Sequence, residues 1–91
     1  MKLEEALYNW LSIKIVSDAR PDDQAAADTH RFFREILEQD HGVDGLEVTV
    51  ADDEYRVHYQ IGGVESERCY PARTAQSLLR SIEAEPRYND Q

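Results

Sequence analysis

Apolar residues keep a helical rhythm through the first forty positions and then switch to strict alternation. Leu3, Leu7, Trp10, Leu11 and Lys14 follow the i, i+4, i+7, i+8, i+11 rows. That spacing puts the four apolar side chains on one stripe of a helix over residues 2 to about 18. Ile13, Ile15 and Val16 are β-branched and lower helix propensity in the last turn, so a short strand at 12–16 is the competing reading. Pro21 disfavours a helical Arg20 and ends the element near Asp18 or Ala19. A second helix is predicted over 22–41, with Asp22 or Asp23 accepting the first-turn N–H groups. Its apolar face comprises Ala25, Thr29, Phe32, Phe33, Ile36 and Leu37. Arg31–Glu35 and Arg34–Glu38 are i, i+4 pairs on the wet side. Gly42 suits the left-handed position after the helix, with Val43 supplying a hydrophobic contact.

Beyond Gly42 the period is two. Leu46, Val48 and Val50 alternate with Glu47 and Thr49, and Tyr55, Val57, Tyr59 and Ile61 alternate with Arg56, His58 and Gln60. These are two strands, each with one apolar face. Asp52-Asp53 marks the turn between them, and Gly62-Gly63 supplies positive φ for a second tight turn. Residues 64–70 then return as a third strand, with Val64, Ser66, Arg68 and Tyr70 on one face and Glu65, Glu67 and Cys69 on the other. Its charge suits an edge. Pro71 opens a last helix whose buried stripe is Ala75, Leu78, Leu79 and Ile82, and Pro86 stops it. The expected fold is α+β: a two-layer sandwich in the order α-α-β-β-β-α, with a three-stranded antiparallel meander packed on helices. Residues 1–86 form a single domain, and 87–91 a polar C-terminal tail. Trp10, Phe32, Phe33, Tyr55 and Tyr59 are expected to meet between the layers.

Charge narrows the possible partners. The 91 residues carry 19 Asp+Glu against 10 Lys+Arg, a formal net charge of -9. Nucleic acid and anionic membrane are disfavoured, because both are gripped by Lys and Arg. A 41% hydrophobic content is enough for a core. The lone Cys69 excludes an internal disulfide and any multi-cysteine zinc site. Glu4 and Glu5 stand where a secretory signal would be basic, and the run Leu11 to Val16 is broken by Lys14. The expected location is cytoplasmic.

Candidate chemistry is sparse. His30 lacks a ligand partner at i±4, since those positions hold Ala26 and Arg34, and it reads as a helix-flank histidine. His41 falls at a helix C-terminus, where the dipole favours an imidazolium. His58 lies on the polar side of the middle strand, open to a ligand. Cys69 has no neighbouring base in sequence and reads as an inert thiol. Asp52-Asp53-Glu54 lacks the calcium-loop pattern and reads as a solvated turn. Asp18, Asp22, Asp23 and Asp28 crowd the junction of the first two helices, where capping accounts for Asp22 and Asp23. No phosphate loop or nucleophile elbow occurs. No catalytic, cofactor-binding or metal-ligating residues are therefore assigned, and no cofactor is expected.

Two resemblances add to this. The strand-strand-strand-helix order from Leu46 to Ile82, with Pro71-Ala72-Arg73-Thr74-Ala75-Gln76-Ser77-Leu78-Leu79 as the last helix, resembles the double-stranded-RNA-binding domain. That family starts this helix with a phosphate-gripping lysine cluster, whereas only Arg73 stands here, so the likeness implies topology and not RNA binding. Leu3 to Leu11, Arg20-Pro21-Asp22-Asp23 and Glu83-Ala84-Glu85-Pro86-Arg87-Tyr88-Asn89 resemble a family of short uncharacterised bacterial cytosolic proteins with no known activity. That resemblance implies a compact domain and no mechanism.

The leading functional expectation is a non-catalytic protein-interaction or regulatory module. It would pair through an edge strand at 64–70, or self-associate through a helix face bearing Trp10 or Tyr8. The alternatives are a small-molecule or metal-dependent enzyme using His58, Cys69 and Asp52-Asp53, and an acidic nucleic-acid mimic.

Overall fold

A computed structural model describes residues 1–85. The predicted stop at Pro86 and the tail at 87–91 lie outside the described residues. The first helix, α1, runs Leu3–Ala19 without a strand at 12–16. Ala6, Leu7, Trp10, Leu11, Ser12, Ile13 and Val16 are all buried, which is more than one stripe can hold. The reason is its position: α1 is touched by every other helical element. Packing on several sides outweighs the low propensity of its β-branched end.

The second helix, α2 (Gln24–Glu35), starts later than the sequence suggests, after Asp23. The Asp23 carboxylate accepts the Ala26 N–H at 3.0 Å and the Arg20 Nε–H at 3.2 Å. From Ile36 to Asp40 the helix widens into a π-helical turn that carries the fully buried Leu37. Gly42 follows with φ +66°, as the capping pattern requires. Phe33 packs inward, but Phe32 is 55% exposed and does not join the interlayer aromatics. One residue is a 100° turn of a helix, so adjacent aromatics cannot both face α1. The Phe32 ring instead meets Phe33 edge-on at 5.3 Å.

Three antiparallel strands follow: β1 (Val43–Ala51), β2 (Glu54–Ile61) and β3 (Val64–Pro71), in that spatial order. Both hairpins close on two residues with positive φ, Asp52-Asp53 at 53° and 60° and Gly62-Gly63 at 58° and 81°. This is the turn whose twist matches paired strands. Strand β1 begins three residues earlier than its alternation from Leu46 indicates. Val43 and Leu46 have opposite parity, so a regular strand would send one of them outward. The register shifts between Asp44 and Glu47, with Gly45 at φ +60°. This glycine bulge returns both apolar side chains to the helix-covered face.

The final helix is two pieces, α3 (Ala72–Ala75) and α4 (Ser77–Ala84), joined at Gln76. The Ala72 N–H donates to the Asp53 carbonyl at 2.7 Å, tying the start of α3 to the first hairpin turn. The larger core cluster joins Ala6, Leu7, Trp10 and Leu11 of α1 to Leu37, Val43, Val57, Tyr59 and Ala75. A smaller one joins Ile13, Val16 and Ala26, with Phe33, Leu79 and Ile82 packed around it. Among the described residues, no helix is long and apolar enough to cross a membrane.

Candidate functional site

The first half of α1, the π-helical turn and α3 cover one face of the sheet, so the other face carries the polar half of each strand. Registers β1–β2 and β2–β3 align Glu47, His58 and Glu67 across the three strands. The next rows are Asp44, Gln60 and Glu65 toward one end and Thr49, Arg56 and Cys69 toward the other. His58 sits at the centre. Its Nδ1 lies 3.2 Å from Glu67 Oε2 and its Nε2 3.3 Å from Thr49 Oγ1. A shallow cavity of about 560 Å³ opens over this region.

The order hydroxyl, imidazole, carboxylate is the one that activates a nucleophile. Here it lacks the rest of such a site. Thr49 lies mid-strand, paired with Arg56, so its backbone is committed to the ladder and cannot build an oxyanion hole. Cys69 is exposed and its thiol lies 3.4 Å from Glu67 Oε1. Hydrogen bonding to Glu54, then desolvation and Glu67, push its pKa up to about 11. A thiol that is hardly ionised near neutrality is a poor nucleophile. Asp52 and Asp53 are turn formers in left-handed backbone, and both are exposed.

The remaining candidates disperse. His30 lies on α2 with its ring 5.6 Å from that of Trp10, and burial lowers its pKa. His41 Nε2 lies 2.9 Å from the Met1 carbonyl, tying the chain start to the end of the π-helical turn. Asp18 pairs with Lys14 at 2.7 Å, Asp28 with Arg31 at 3.4 Å, and Asp23 caps α2. No group of three metal-ligating side chains forms among the described residues. Trp10 is only 4% exposed, and the Tyr8 hydroxyl donates to the Thr74 carbonyl at 3.2 Å. Trp10 therefore belongs to the core and offers no self-association face, whereas Tyr8 stays half-exposed.

Thr49 and Glu67, the two partners of His58, were not singled out from the sequence. The signal existed. Two-residue turns at Asp52-Asp53 and Gly62-Gly63 fix both registers, and register alone places Glu47 and Glu67 beside His58.

The two sheet edges differ. Strand β1 is broken by its bulge. Strand β3 pairs with β2 without interruption from Val64 to Pro71, and among the described residues no strand pairs with its other side. A two-residue turn makes Ile61–Val64 a hydrogen-bonded pair, and the alternation of an antiparallel ladder then aims the amides of Glu65, Glu67 and Cys69 away from β2. Compared with family models, curated proteins and solved structures, the chain matches none.

Proposed function

We propose that this protein is a non-catalytic interaction module that takes an extended segment of a partner protein onto the free edge of β3. The observation that carries this is the unbroken eight-residue strand with one side unpaired among the described residues. Such an edge offers main-chain donors and acceptors at the spacing a new strand needs. Natural sheets blunt edges they do not use, as the Gly45 bulge blunts β1. The charges on β3 refine the reading. Glu65, Glu67 and Arg68 discourage uncontrolled pairing while leaving the strand straight. The enzyme reading loses support from the raised Cys69 pKa and the ladder-bound Thr49.

The test is Glu65→Pro. It removes one outward N–H but no ladder bond to β2, a position where a strand tolerates proline. A ten-residue capped peptide alternating lysine with valine is titrated into the labelled protein. Amide shifts should concentrate in residues 64–71 and vanish in the proline variant, whose circular dichroism should match the parent. Shifts centred elsewhere, no shifts at all, or undiminished binding by the variant would overturn the proposal.

A further inference from the structure

The free edge of β3 has two sides. Glu65, Glu67 and Cys69 stand on the open face, and Arg68 and Tyr70 on the face toward α1. On that second side one flank of α1 runs along the strand. Glu4 and Tyr8 are one helical turn apart and share this flank. Glu4 Oε1 lies 3.6 Å from Arg68 Nη2, and the Tyr8 ring lies 5.9 Å from the Tyr70 ring, tilted by 50°. Leu7 and Leu11 turn instead to the middle of the sheet and are fully buried with Val57. The Tyr8 hydroxyl is held at its far end, 3.2 Å from the Thr74 carbonyl and 3.3 Å from Ser77 Oγ.

Tyr70 pairs with Tyr55 of β2, and both Tyr70 and Tyr8 remain half-exposed. A strand added antiparallel to β3 would bond to the outward amides of Glu65, Glu67 and Cys69, which makes Tyr70 a non-hydrogen-bonded position. Such positions bring the two chains closest, with Cα atoms about 4.5 Å apart. The side chain set opposite Tyr70 projects to the same face, beside both rings.

We infer that the incoming segment is anchored by an aromatic side chain directly opposite Tyr70, packed on the Tyr8–Tyr70 pair. The inference rests on the strand-addition reading and adds the partner's chemistry. Aromatic pairs directly across an antiparallel ladder stabilise it, and offset or tilted rings gain more than their buried area alone supplies. The occupant is a partner protein and not a second copy of this chain. Outward-bonded positions must meet one another, so two-fold pairing of β3 with itself has two registers that cover most of the strand. One sets Glu67 against Glu67 and the other Arg68 against Arg68, and like charges directly opposite are destabilising. Charge complementarity asks instead for basic residues directly opposite Glu65 and Glu67, alternating with the position that faces Tyr70.

The experiment compares the capped lysine–valine peptide with one whose second valine is replaced by phenylalanine. Each is titrated against the parent, Tyr8→Ser, Tyr8→Phe and Glu65→Pro. The phenylalanine peptide should bind the parent up to about fivefold more tightly, the upper range for a cross-strand aromatic pair. Tyr8→Ser should abolish that preference, and Tyr8→Phe, which keeps the ring and loses its hydroxyl contacts, should retain it. Nuclear Overhauser contacts should join the peptide's phenylalanine ring to the Tyr8 and Tyr70 rings in the parent, a readout that stands even where Tyr8→Ser fails to fold. Equal binding of the two peptides to the parent, a preference undiminished in Tyr8→Ser or lost equally in Tyr8→Phe, or absence of those contacts would overturn the aromatic anchor while leaving strand addition standing. Shifts of residues 64–71 in the parent alone as its concentration rises would give the edge to a second copy and overturn the anchor as well. Failure of Glu65→Pro to weaken either peptide would overturn strand addition itself.

Discussion

The two ends of α1 are packed by different means. Its first half lies against the sheet, where Leu7, Leu11, Leu37 and Val57 are fully buried. Its second half extends past the sheet, in a molecule 45 Å long and 20 Å thin. There, among the described residues, only α2 and α4 are available, and Ile13, Val16 and Ala26 are the buried residues. Among the described residues, a groove of about 710 Å³ runs between them, lined by Ile13, Val16, Pro21, Ala26, Thr29 and Ile82. A sheet offers a continuous apolar surface to a helix lying on it. Two short helices meet α1 only along narrow seams, and α4, eight residues long, buries none of its side chains fully. The lesson is that burial of one continuous helix can be strong at one end and shallow at the other.

The most severe way to test this contrast is to truncate the sheet-backed cluster. Leu11→Ala should cost about 3–5 kcal/mol, because the fully buried side chain leaves a cavity that the sheet cannot collapse to fill. Against a total of about 5–15 kcal/mol, that is enough to shift a urea midpoint far to the left or prevent folding. A midpoint within error of the parent would mean that α1 is not seated as described. Phe33→Ala comes next. Phe33 packs against both clusters but is only half-buried. About 3 kcal/mol, the low end for a large aromatic, is the expectation. If the loss were below about 1 kcal/mol, the two clusters would not share this residue and the seam between them would need redrawing.

The same contrast explains what could be read from the chain beforehand. The sheet was legible because alternation and turn chemistry agree: Tyr55 to Ile61 alternates cleanly, and Gly62-Gly63 can make only a tight turn. The hidden parts were those where one local rule overrode another. Val43 and Leu46 disagree in parity, and only the tolerance of Gly45 for positive φ reconciles them. Leu11 and Ile13 are both buried yet lie on nearly opposite sides of α1, and one-stripe reasoning has no place for a helix at the centre of its neighbours. Phe32 and Phe33 are indistinguishable by hydropathy, yet only one can face inward. Nothing in the sequence marks the widening at Ile36–Asp40, and the structure offers no single side chain as its cause. For the site, His58 was visible as a polar strand residue, whereas its neighbours Glu47, Thr49 and Glu67 come into view only once the register of each hairpin is worked out from its two-residue turn.

A smaller effect sharpens the comparison at the weak end. Ile82→Ala removes a half-buried wall of the groove and should cost about 1 kcal/mol or less. Hydrogen exchange should separate the halves more clearly than this midpoint does. Amides of α4 and of the last turns of α1 should exchange through a local opening, at lower free energy than amides around Leu7 to Leu11. Equal protection along the whole of α1 would show that the two clusters open as one unit, and the contrast drawn from burial would fail.

The smallest effect concerns protonation at the join between the halves. His30 packs against Trp10 of the larger cluster, and its pKa is lowered from the ordinary 6.5 first by burial, then by Lys14 and Arg34, with Asp18 opposing. A histidine with a depressed folded pKa binds its proton more readily when unfolded. Its contribution is therefore fully present above pH 6.5 and is lost as pH falls through the lower folded value. Trp10 is the only tryptophan, so its fluorescence reports this contact directly, because an imidazolium quenches a neighbouring indole. The quenching midpoint should fall below 6.5, and His30→Gln should abolish the transition. Asp23 also loses its cap on acidification, since hydrogen bonds from Ala26 and Arg20 lower its pKa, but that loss comes below its ordinary 3.8 and falls in a separate window. A Trp10 transition at or above 6.5 would place His30 in water, and α2 would then lie less closely on α1 at the seam than the half-buried ring requires.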